Sequence, residues 1–536
     1  MFTPTTLSYA MAFVVGIAVS LIVTPIVRSV ARRINFVDNP DGGRKNHKEP
    51  VALGGGVAVF LSMLVAIAVT FAFARYQGLD ILNFNQGRAD RAVFLGLLQA
   101  SGLIVLLGLI DDKIGMRGRY KLLGQIGVVC LLMYRGLVIE RFGLFGEVIE
   151  LEWLSYPVTF CWLIGTINAI NLIDGIDGLA SSVGMVLCLT VAAMAAMLGH
   201  FAEAVVVLAL AGPLLGFLRY NFAPASMYLG DTGSMLIGLV VGAIAAHSSV
   251  KSPAAIAMAV PLAVWSIPIL DSAAAILRRK LTGRSLFAAD RGHLHHSLLI
   301  RGWSVQQASL FVTLICATTC LSAVLSMLWG DERIALLIVV AVVLFLISTK
   351  TFGHIEFALL KNRFHDSAAS ISGKRGEASM VRQSAVRLQG SREWDKLWAA
   401  MTESAESNRL LKMKLAINIP ALHEVYYASW KSAAQSSDDV DLAWSTTHPL
   451  MLNGQKVGHL ELVGLPDPEQ ESTPLQMIQV LDFLEPIEDD IRRICEQIRS
   501  DQESPDDEPS LLTGTAHAMR AAKPLPPASA GAAPQA

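Results

Sequence analysis

Long apolar blocks are the feature that most constrains how this chain can fold. A helix needs roughly 20 apolar residues to cross a hydrocarbon core of about 30 Å, and about eleven blocks of that size lie before residue 350. Only 16% of the 536 residues are charged, against about 25% in soluble proteins. We therefore predict an all-α polytopic membrane protein with spans at residues 7–29, 52–75, 92–110, 121–138, 155–171, 180–198, 201–218, 232–248, 254–276, 306–329 and 332–350.

The connections between the blocks differ in Lys and Arg content. The first, third and ninth are rich in these residues, while the sixth, eighth and tenth are short and poor in them. Because cytoplasmic loops collect Lys and Arg, this pattern predicts an outside N-terminus and a cytoplasmic C-terminus. The first block ends in arginines and has no small-residue cleavage site, so it is predicted to be a membrane helix and not a signal peptide.

Five polar segments fall on the cytoplasmic side in this orientation. They are "VDNPDGGRKNHKEP", "DDKIGMRGRYK", "NLIDGIDGLA", "RYNFAPASMYLGDTGS" and "DRGHLHH". A random scatter would divide them between the two faces, so their distribution predicts a single site.

The composition becomes that of a soluble protein after Lys350. Residues 351–391 are predicted to be a juxtamembrane segment and linker. Residues 392–498 predict a small α/β module with a helix over Trp394–Lys414, two strands joined at Asn453–Gly454, and an amphipathic helix over 475–498. The acidic and then Pro- and Ala-rich stretch 499–536 is predicted to be a disordered tail.

Adjacent acids follow the third block. Asp111 and Asp112 repel each other unless a cation or a proton relieves the charge, so the pair indicates a metal or a raised pKa. A single acid there would fit a solvated helix end equally well. Lys121, one turn before Gln125, is placed to meet a phosphate.

Polar residues recur every third position in "NAINLIDGIDGLA". Asn168, Asn171, Asp174 and Asp177 are thereby placed along one side of a helical stretch. A polar helix cap would explain one of them, not four. Asp231 in "GDTGS" opens a span and could be its N-cap, but the same helix start suits an anion and the Mg²⁺ that accompanies it.

Histidines cluster in "DRGHLHH". His293, His295 and His296 lie beside Arg291, and that mixture suits phosphate oxygens better than zinc, because no Cys or acid stands at structural-zinc spacing. Lys45 and His47 lie in a basic loop. "LGGG" at Leu53–Gly56 lacks the Lys of a P-loop and predicts close backbone packing where the second span begins.

Taken in order, these segments resemble the signature segments of the polyprenyl-phosphate N-acetylhexosamine-1-phosphate transferases, the membrane family that includes bacterial undecaprenyl-phosphate GlcNAc-1-phosphate transferases. The resemblance covers about residues 5–350. It implies transfer of a sugar-1-phosphate from a UDP-sugar to undecaprenyl phosphate with release of UMP, at the cytoplasmic face of a bacterial inner membrane. It also implies Mg²⁺, with Mn²⁺ as a substitute.

The resemblance further implies roles for individual residues. Asp231 and Asn171 would be metal ligands, with Asp174 close by. Asp111 and Asp112 would bind or deprotonate the lipid phosphate. Asp177 and Lys45 would contact the nucleotide, and His47, Asn168 and Asn221 would line the substrate site. The groups that would neutralise phosphates are Lys121, Arg291, His293, His295 and His296, of which His293 is also a catalytic candidate.

The sequence is also compatible with other functions. The "HLHH" pattern favours GlcNAc, but a phospho-MurNAc-pentapeptide transferase is the alternative within the family. A transporter would place its acids near mid-span and show related halves, and neither is visible here. The C-terminal module leaves room for a partner protein or a homodimer. No feature indicates a nucleic acid.

Overall fold

The computed structural model describes residues 3–39, 50–78, 88–144, 147–250, 259–281, 292–353, 382–389, 393–407, 410–419, 424–432, 444–452, 455–464, 487 and 489–497. The chain divides into two compact units, Met1–Gly373 and Lys374–Ala536.

Helices dominate the first unit. They are α1 (Pro4–Arg33), α2 (Gly55–Tyr76), α3 (Arg88–Ile114), α4 (Gly118–Tyr134), α5 (Ser155–Ile173), α6 (Leu179–Met197), α7 (Phe201–Asn221), α8 (Gly230–Val250), α9 (Ala259–Val264), α10 (Ser266–Leu281), α11 (Leu294–Ile300), α12 (Val305–Trp329) and α13 (Glu332–Ser348). Two short hairpins accompany them, β1 (Val37–Asp38) with β2 (Val51–Ala52), and β3 (Arg141–Leu144) with β4 (Glu147–Glu150).

The chain is a polytopic membrane protein. Within the described residues, eight helices are long and apolar enough to cross a bilayer, where the sequence predicts about eleven spans. The predicted fourth and eleventh spans correspond to α4 and α13, each of which has 17 helical residues. The predicted ninth span, 254–276, contains two shorter helices, α9 and α10, and α10 carries Asp271 and a basic last turn that make it less apolar than a lipid-exposed span.

Helix α8 is packed at very close range by its neighbours. A Cβ atom built on Gly108 of α3 would lie 2.4 Å from the Thr232 Cα, and one built on Gly56 of α2 would lie 2.2 Å from the Gly233 backbone N. Small residues permit such approaches between membrane helices. The close packing predicted for Leu53–Gly56 is therefore confirmed, and it fixes where α8 begins.

One apolar cluster forms the core of the first unit, built mostly from helix residues between Ala12 and Leu346. At one end of the bundle, the segment 222–229 that leads into α8 is held by backbone bonds to the second strand of the first hairpin: Tyr228 N–H donates to the Ala52 carbonyl at 2.9 Å.

The second unit contains a five-stranded antiparallel sheet. Its strands are β5 (Arg382–Gln389), β6 (Leu410–Ile419), β7 (Glu424–Lys431), β8 (Trp444–Leu452) and β9 (Gln455–Gly464), in the order β5-β7-β6-β9-β8. Helix α14 (Glu393–Ser407) contributes Trp394 and Trp398 to a separate apolar core.

The helix predicted over Trp394–Lys414 is too long. It ends at Ser407, and Leu410–Lys414 belongs to β6, where apolar residues alternate with lysines as a half-buried strand requires. Strands β8 and β9 pair antiparallel on either side of the predicted turn, but Asn453 and Gly454 themselves lie outside the described residues. So do 475–486 of the predicted amphipathic helix and all of 499–536, whereas 489–497 are helical.

Candidate active site

Most of the predicted site residues lie at one end of the bundle. Asp111 and Asp112 stand in the last turn of α3, Lys121 in the first turn of α4, and Asp231 in the first turn of α8. The predicted residues Lys45, His47 and Arg291 lie outside the described part of the chain.

Lys121 connects two of the acids. Its Nζ lies 3.0 Å from Asp111 Oδ2 and 2.6 Å from Asp231 Oδ2. The Asp111 side chain is 6% exposed, whereas that of Asp231 is 31% exposed. Asp231 is therefore the acid of this pair that a ligand from the aqueous side can reach.

Asn171 holds the other oxygen of Asp231. Its Nδ2 lies 2.5 Å from Asp231 Oδ1 and 3.0 Å from Ser234 Oγ. Asn171 lies in the last turn of α5, so this contact joins the end of α5 to the start of α8. With its amide nitrogen turned to Asp231, its Oδ1 is the atom left to face a cation.

Asp112 caps α8 from a different helix. Its Oδ1 accepts a bond from Asp231 N at 2.8 Å, and its Oδ2 accepts bonds from the N–H and hydroxyl of Thr232 at 3.2 and 2.6 Å. The first N–H groups of a helix have no partner within it, so a carboxylate there satisfies them and interacts favourably with the helix dipole. Asp112 thus orients the backbone that carries Asp231.

Asp174 stands at the end of α5 with its carboxylate unengaged. Within the described residues, no group donates a hydrogen bond to it, although its backbone N–H bonds to Ile170. Burial, reinforced by the carboxylates of Asp231 and Asp112, raises its pKa well above the usual range. A half-buried acid in this position is suited to hold a cation or a proton.

Asp177, Asn168 and Asn221 are tied into the protein. Asp177 Oδ2 accepts a bond from Ala225 N at 2.8 Å, which fixes the segment before α8. Asn168 donates to Gln125 Oε1 at 2.8 Å. Buried Asn221 accepts from Ser181 Oγ at 2.7 Å and donates to the Met227 carbonyl at 3.1 Å. Their predicted substrate contacts stay predictions, and these bonds give each residue a structural role.

The histidine segment is packed against the bundle. His293 Nδ1 lies 2.8 Å from Asp271 Oδ2. The His295 ring is buried, its Nε2 has no hydrogen-bond partner among the described residues, and a Cβ built on Gly175 would lie 2.4 Å from that nitrogen. The rings of His295 and His296 lie 4.3 Å apart.

His295 is neutral near pH 7. Burial, with the neighbouring His296 and His293, lowers its pKa to about 3. The contact of His295 with a phosphate that the resemblance implies stays a prediction. A hydrogen bond is what this ring can offer a substrate.

The residues present fit a shared Mg²⁺ ion. Within the described ranges, no group of three His, Cys, Asp or Glu side chains forms a ready-made cage. Mg²⁺, however, usually takes one or two carboxylates and completes its octahedron with waters and substrate phosphates. Partly exposed Asp231, the amide oxygen of Asn171 and the carboxylate of Asp174 would be such ligands, and Lys121 is the cationic side chain that contacts Asp231.

Comparison with known proteins shows which family this chain is similar to. The sequence model of the family described as Glycosyl transferase family 4 matches residues 94–249. A probable undecaprenyl-phosphate N-acetylglucosaminyl 1-phosphate transferase of Bacillus subtilis is 31% identical over 315 residues, which cover 58% of this chain and 83% of the relative. The chain belongs to glycosyl transferase family 4.

Further relatives of this glycosyl transferase family 4 chain are named either as N-acetylglucosaminephosphotransferases or as phospho-N-acetylmuramoyl-pentapeptide-transferases. A decaprenyl-phosphate N-acetylglucosaminephosphotransferase of Mycolicibacterium smegmatis is 30% identical over 363 residues, or 62% of this chain and 87% of the relative. A phospho-N-acetylmuramoyl-pentapeptide-transferase of Halalkalibacterium halodurans is 30% identical over 313 residues, or 55% of this chain and 90% of the relative.

The matched stretch of the family covers α3 to α8 and so contains the acids and Lys121. Asp271 and the histidines lie beyond it. Asp271 could not be predicted as a site residue, because a single acid in the predicted span 254–276 carries no motif. The only available signal was the cost of placing that acid in an otherwise apolar stretch.

Proposed function

We propose that this chain transfers N-acetylhexosamine-1-phosphate, specifically GlcNAc-1-phosphate, from a UDP-sugar to undecaprenyl phosphate. The products are the lipid-linked pyrophosphoryl sugar and UMP. The observation that carries the proposal is the cluster of Asp111, Lys121 and Asp231 at the ends of membrane helices, with ion-pair distances of 3.0 and 2.6 Å. The names of the relatives support the choice of reaction.

The position of the charges favours an enzyme over a transporter. The described acids of the cluster occupy terminal turns of α3, α5 and α8, and none of these lies in the middle of its helix. A lipid phosphate lies at the membrane surface while its chain stays in the bilayer. The helix ends are therefore where a lipid phosphate and a water-soluble nucleotide can meet.

The reaction joins two anions. An oxygen of the lipid phosphate attacks the β-phosphorus of the UDP-sugar, and the bond from that phosphorus to the bridging oxygen breaks as UMP leaves. Lys121 would bind the incoming phosphate, because its ammonium group already lies between two carboxylates that a phosphate can replace. Asp111, on the other side of Lys121, would receive the proton of the lipid phosphate.

Asp112 and Asn171 would act by placing Asp231. Asp112 fixes the first turn of α8 and Asn171 fixes the Asp231 side chain. Mg²⁺, held by Asp231 with Asn171 and Asp174 nearby, would supply charge stabilisation on the transferring phosphoryl group. Direct in-line attack requires no covalent enzyme intermediate, and we adopt it on that ground.

The proposal includes a location. Eleven spans, with α4, α13 and the α9–α10 region counted as crossings, and the distribution of Lys and Arg support an outside N-terminus and a site on the cytoplasmic face of a bacterial inner membrane. The UDP-sugar would reach the site from the cytoplasm.

GlcNAc is the sugar we propose, because the first two relatives named above act on N-acetylglucosamine by name. The second candidate is transfer of phospho-MurNAc-pentapeptide, which rests on the relative from Halalkalibacterium halodurans. A single panel of donors distinguishes the two.

The test is an assay of the purified full-length chain with undecaprenyl phosphate and MgCl₂. UMP release is followed with UDP-GlcNAc, UDP-GalNAc and UDP-MurNAc-pentapeptide, each with and without excess EDTA. We expect UMP from UDP-GlcNAc and its loss with EDTA. Release only from UDP-MurNAc-pentapeptide would select the second candidate, and no release from any donor would reject the reaction.

Asp231→Asn tests the proposed metal ligand in the same assay. The amide keeps the size of the side chain but loses its negative charge, so we expect kcat to fall by at least about 100-fold, as for loss of a major electrostatic contact to the transition state. A Tm close to that of the wild type would show that the fold is intact. Wild-type turnover in this variant would remove Asp231 from the site.

A further inference from the structure

The carboxylate of Asp271 in α10 is occupied on both oxygens by the histidine segment. Its Oδ2 lies 2.8 Å from His293 Nδ1, and its Oδ1 accepts a bond from the Leu294 N–H at 2.9 Å. Asp271 is 2% exposed and His293 is 4% exposed. Because a buried carboxylate is costly unless it is paired, this arrangement strongly favours one placement of the segment.

A second contact lies two turns along the same helix. Residues seven apart face the same way on a helix, and Arg278 is seven residues after Asp271. A Cβ built on Gly292 would lie 2.3 Å from the Arg278 Cζ, so the guanidinium group lies directly against the Gly292 backbone. One face of α10 thus holds the chain at Gly292, His293 and Leu294.

This placement extends to the acidic loop after α5. The His293 and His295 rings stack with centroids 5.8 Å apart and planes 9° apart. His295 in turn occupies the space where a side chain at position 175 would lie. Asp174 and Asp177 flank that glycine, so a shift of the His293 ring would be transmitted to the loop that carries them.

We propose that Asp271 is a positioning residue for the transfer reaction, which orients the His293 ring, fixes its tautomer and sets the depth at which His295 meets Gly175. This inference rests on the proposed function. An ionised carboxylate only accepts hydrogen bonds, so His293 Nδ1 carries a proton and Nε2 is the polar atom that remains for a substrate.

The substitution Asp271→Asn tests the tautomer without removing the contact. Two donors, the Leu294 N–H and His293 Nδ1–H, face the carboxylate, but an amide offers one acceptor oxygen and one NH₂ group. If the oxygen stays with Leu294, the NH₂ group donates toward Nδ1, so Nδ1 must accept that hydrogen bond and the ring proton is held on Nε2. We expect this variant to keep the fold and to exchange the donor and acceptor nitrogens of His293.

The bundle offers a matched control. Glu203 of α7 and His247 of α8 are a second buried acid–histidine pair, with Oε1 and Nε2 3.6 Å apart. His247 lies 16 residues after Asp231 on α8, about 24 Å away along the helix. Glu203→Gln therefore removes the charge of a comparable pair far from the acids.

The experiment measures kinetics and ring chemistry on the full-length chain. For Asp271→Asn we expect kcat for UMP release to fall at least about 10-fold with KM for the UDP-sugar little changed, the pattern of an orienting acid. Glu203→Gln should keep the wild-type kcat. In ¹⁵N-histidine-labelled protein, the Nδ1 and Nε2 resonances of His293, assigned by their loss in His293→Gln, should exchange protonated and unprotonated character in Asp271→Asn.

Three outcomes would overturn the inference. They are unchanged His293 resonances in Asp271→Asn, an exchanged tautomer with wild-type kcat, and an equal loss of kcat in Glu203→Gln. If the wild type releases no UMP from any donor, the proposed function fails on its own. The resonances would then still decide whether Asp271 fixes the His293 ring.

Discussion

At the scale of single residues, the site holds more negative charge than the described contacts balance. Asp111 and Asp231 share Lys121, and Asp112 is occupied by the start of α8. Asp174 accepts no hydrogen bond within the described ranges. Acids with strongly perturbed pKa values are characteristic of functional sites.

Asp174→Asn should separate activity from stability. The raised pKa means that the folded protein binds this proton more tightly than the unfolded chain does. The ionised carboxylate therefore destabilises the fold, increasingly as pH rises from the unfolded pKa of about 4 through the raised folded pKa. We expect the variant to lose turnover but to have a higher Tm than the wild type at pH 7.5 in metal-free buffer, with the difference shrinking toward acid pH.

Asp177→Asn is the comparison for that measurement. The Asp177 carboxylate accepts the Ala225 N–H, and because a neutral amide oxygen accepts more weakly than a carboxylate, the substitution should lower Tm. Equal Tm values for wild type and Asp174→Asn across this pH range would show that the Asp174 carboxylate carries no such penalty.

At the scale of elements, the site depends on how closely α3 approaches α8. Asp112 can cap α8 only because Gly108, one turn earlier on α3, lets the Thr232 backbone come within contact distance. Gly230 has a φ of 71°, and a Cβ there would lie 2.5 Å from Asp112 Oδ2. The two glycines leave room for the carboxylate and the helix start at the same place.

Gly108→Ala should therefore separate the two helices. Its added methyl group would meet backbone atoms of Thr232 at 2.4 Å, and overpacking of this kind costs about 1–3 kcal/mol. We expect a lower Tm and a large loss of turnover. Gly102→Ala in the same helix is the control, since a Cβ there meets only Phe60 Cζ at 4.0 Å.

The control should equal or slightly exceed the wild type in Tm, because alanine favours a helix over glycine by about 1 kcal/mol. If Gly108→Ala behaves like Gly102→Ala in both Tm and turnover, the capping of α8 by Asp112 does not depend on this close approach.

At the scale of the whole molecule, the sequence predicts those features of the fold that depend on hydropathy and on the distribution of charge. Helices α1, α2 and α3 can be predicted from the length of their apolar blocks alone. The polar segments at the ends of α3 and α5 and at the start of α8 contact one another, as the sequence predicts. The α9–α10 break was missed because 254–276 is apolar on average. Asp271 was missed because its partner, His293, is 22 residues away along the chain.

The second unit shows that periodicity over a short stretch of sequence does not always distinguish a strand from a helix. "LLKMKLAINI" supports either a helix or a strand by composition, and its strand form depends on pairing with β7 and β9. Such pairing is tertiary information that a local pattern does not contain. The antiparallel pair of β8 and β9 could be predicted from the sequence because both strands adjoin one Asn-Gly turn signal.

The division into two units predicts that the transfer reaction belongs to the first. The apolar core of the first unit is built from residues between Ala12 and Leu346, and that of the second from residues between Trp394 and Cys495. All described acids, Lys121 and the histidines of the candidate site fall within Met1–Gly373. We expect a chain that ends at Gly373 to release UMP with a kcat close to that of the full-length protein.

A point substitution distinguishes loss of the second unit from side effects of truncation. Trp398 is 1% exposed in the second core, and Trp→Ala in a core typically costs about 3–5 kcal/mol. Trp398→Ala in the full-length chain should therefore unfold the second unit in place and leave kcat unchanged. If both variants lose turnover while the first unit keeps its Tm, the second unit is required for catalysis and the assignment of the reaction to Met1–Gly373 is wrong.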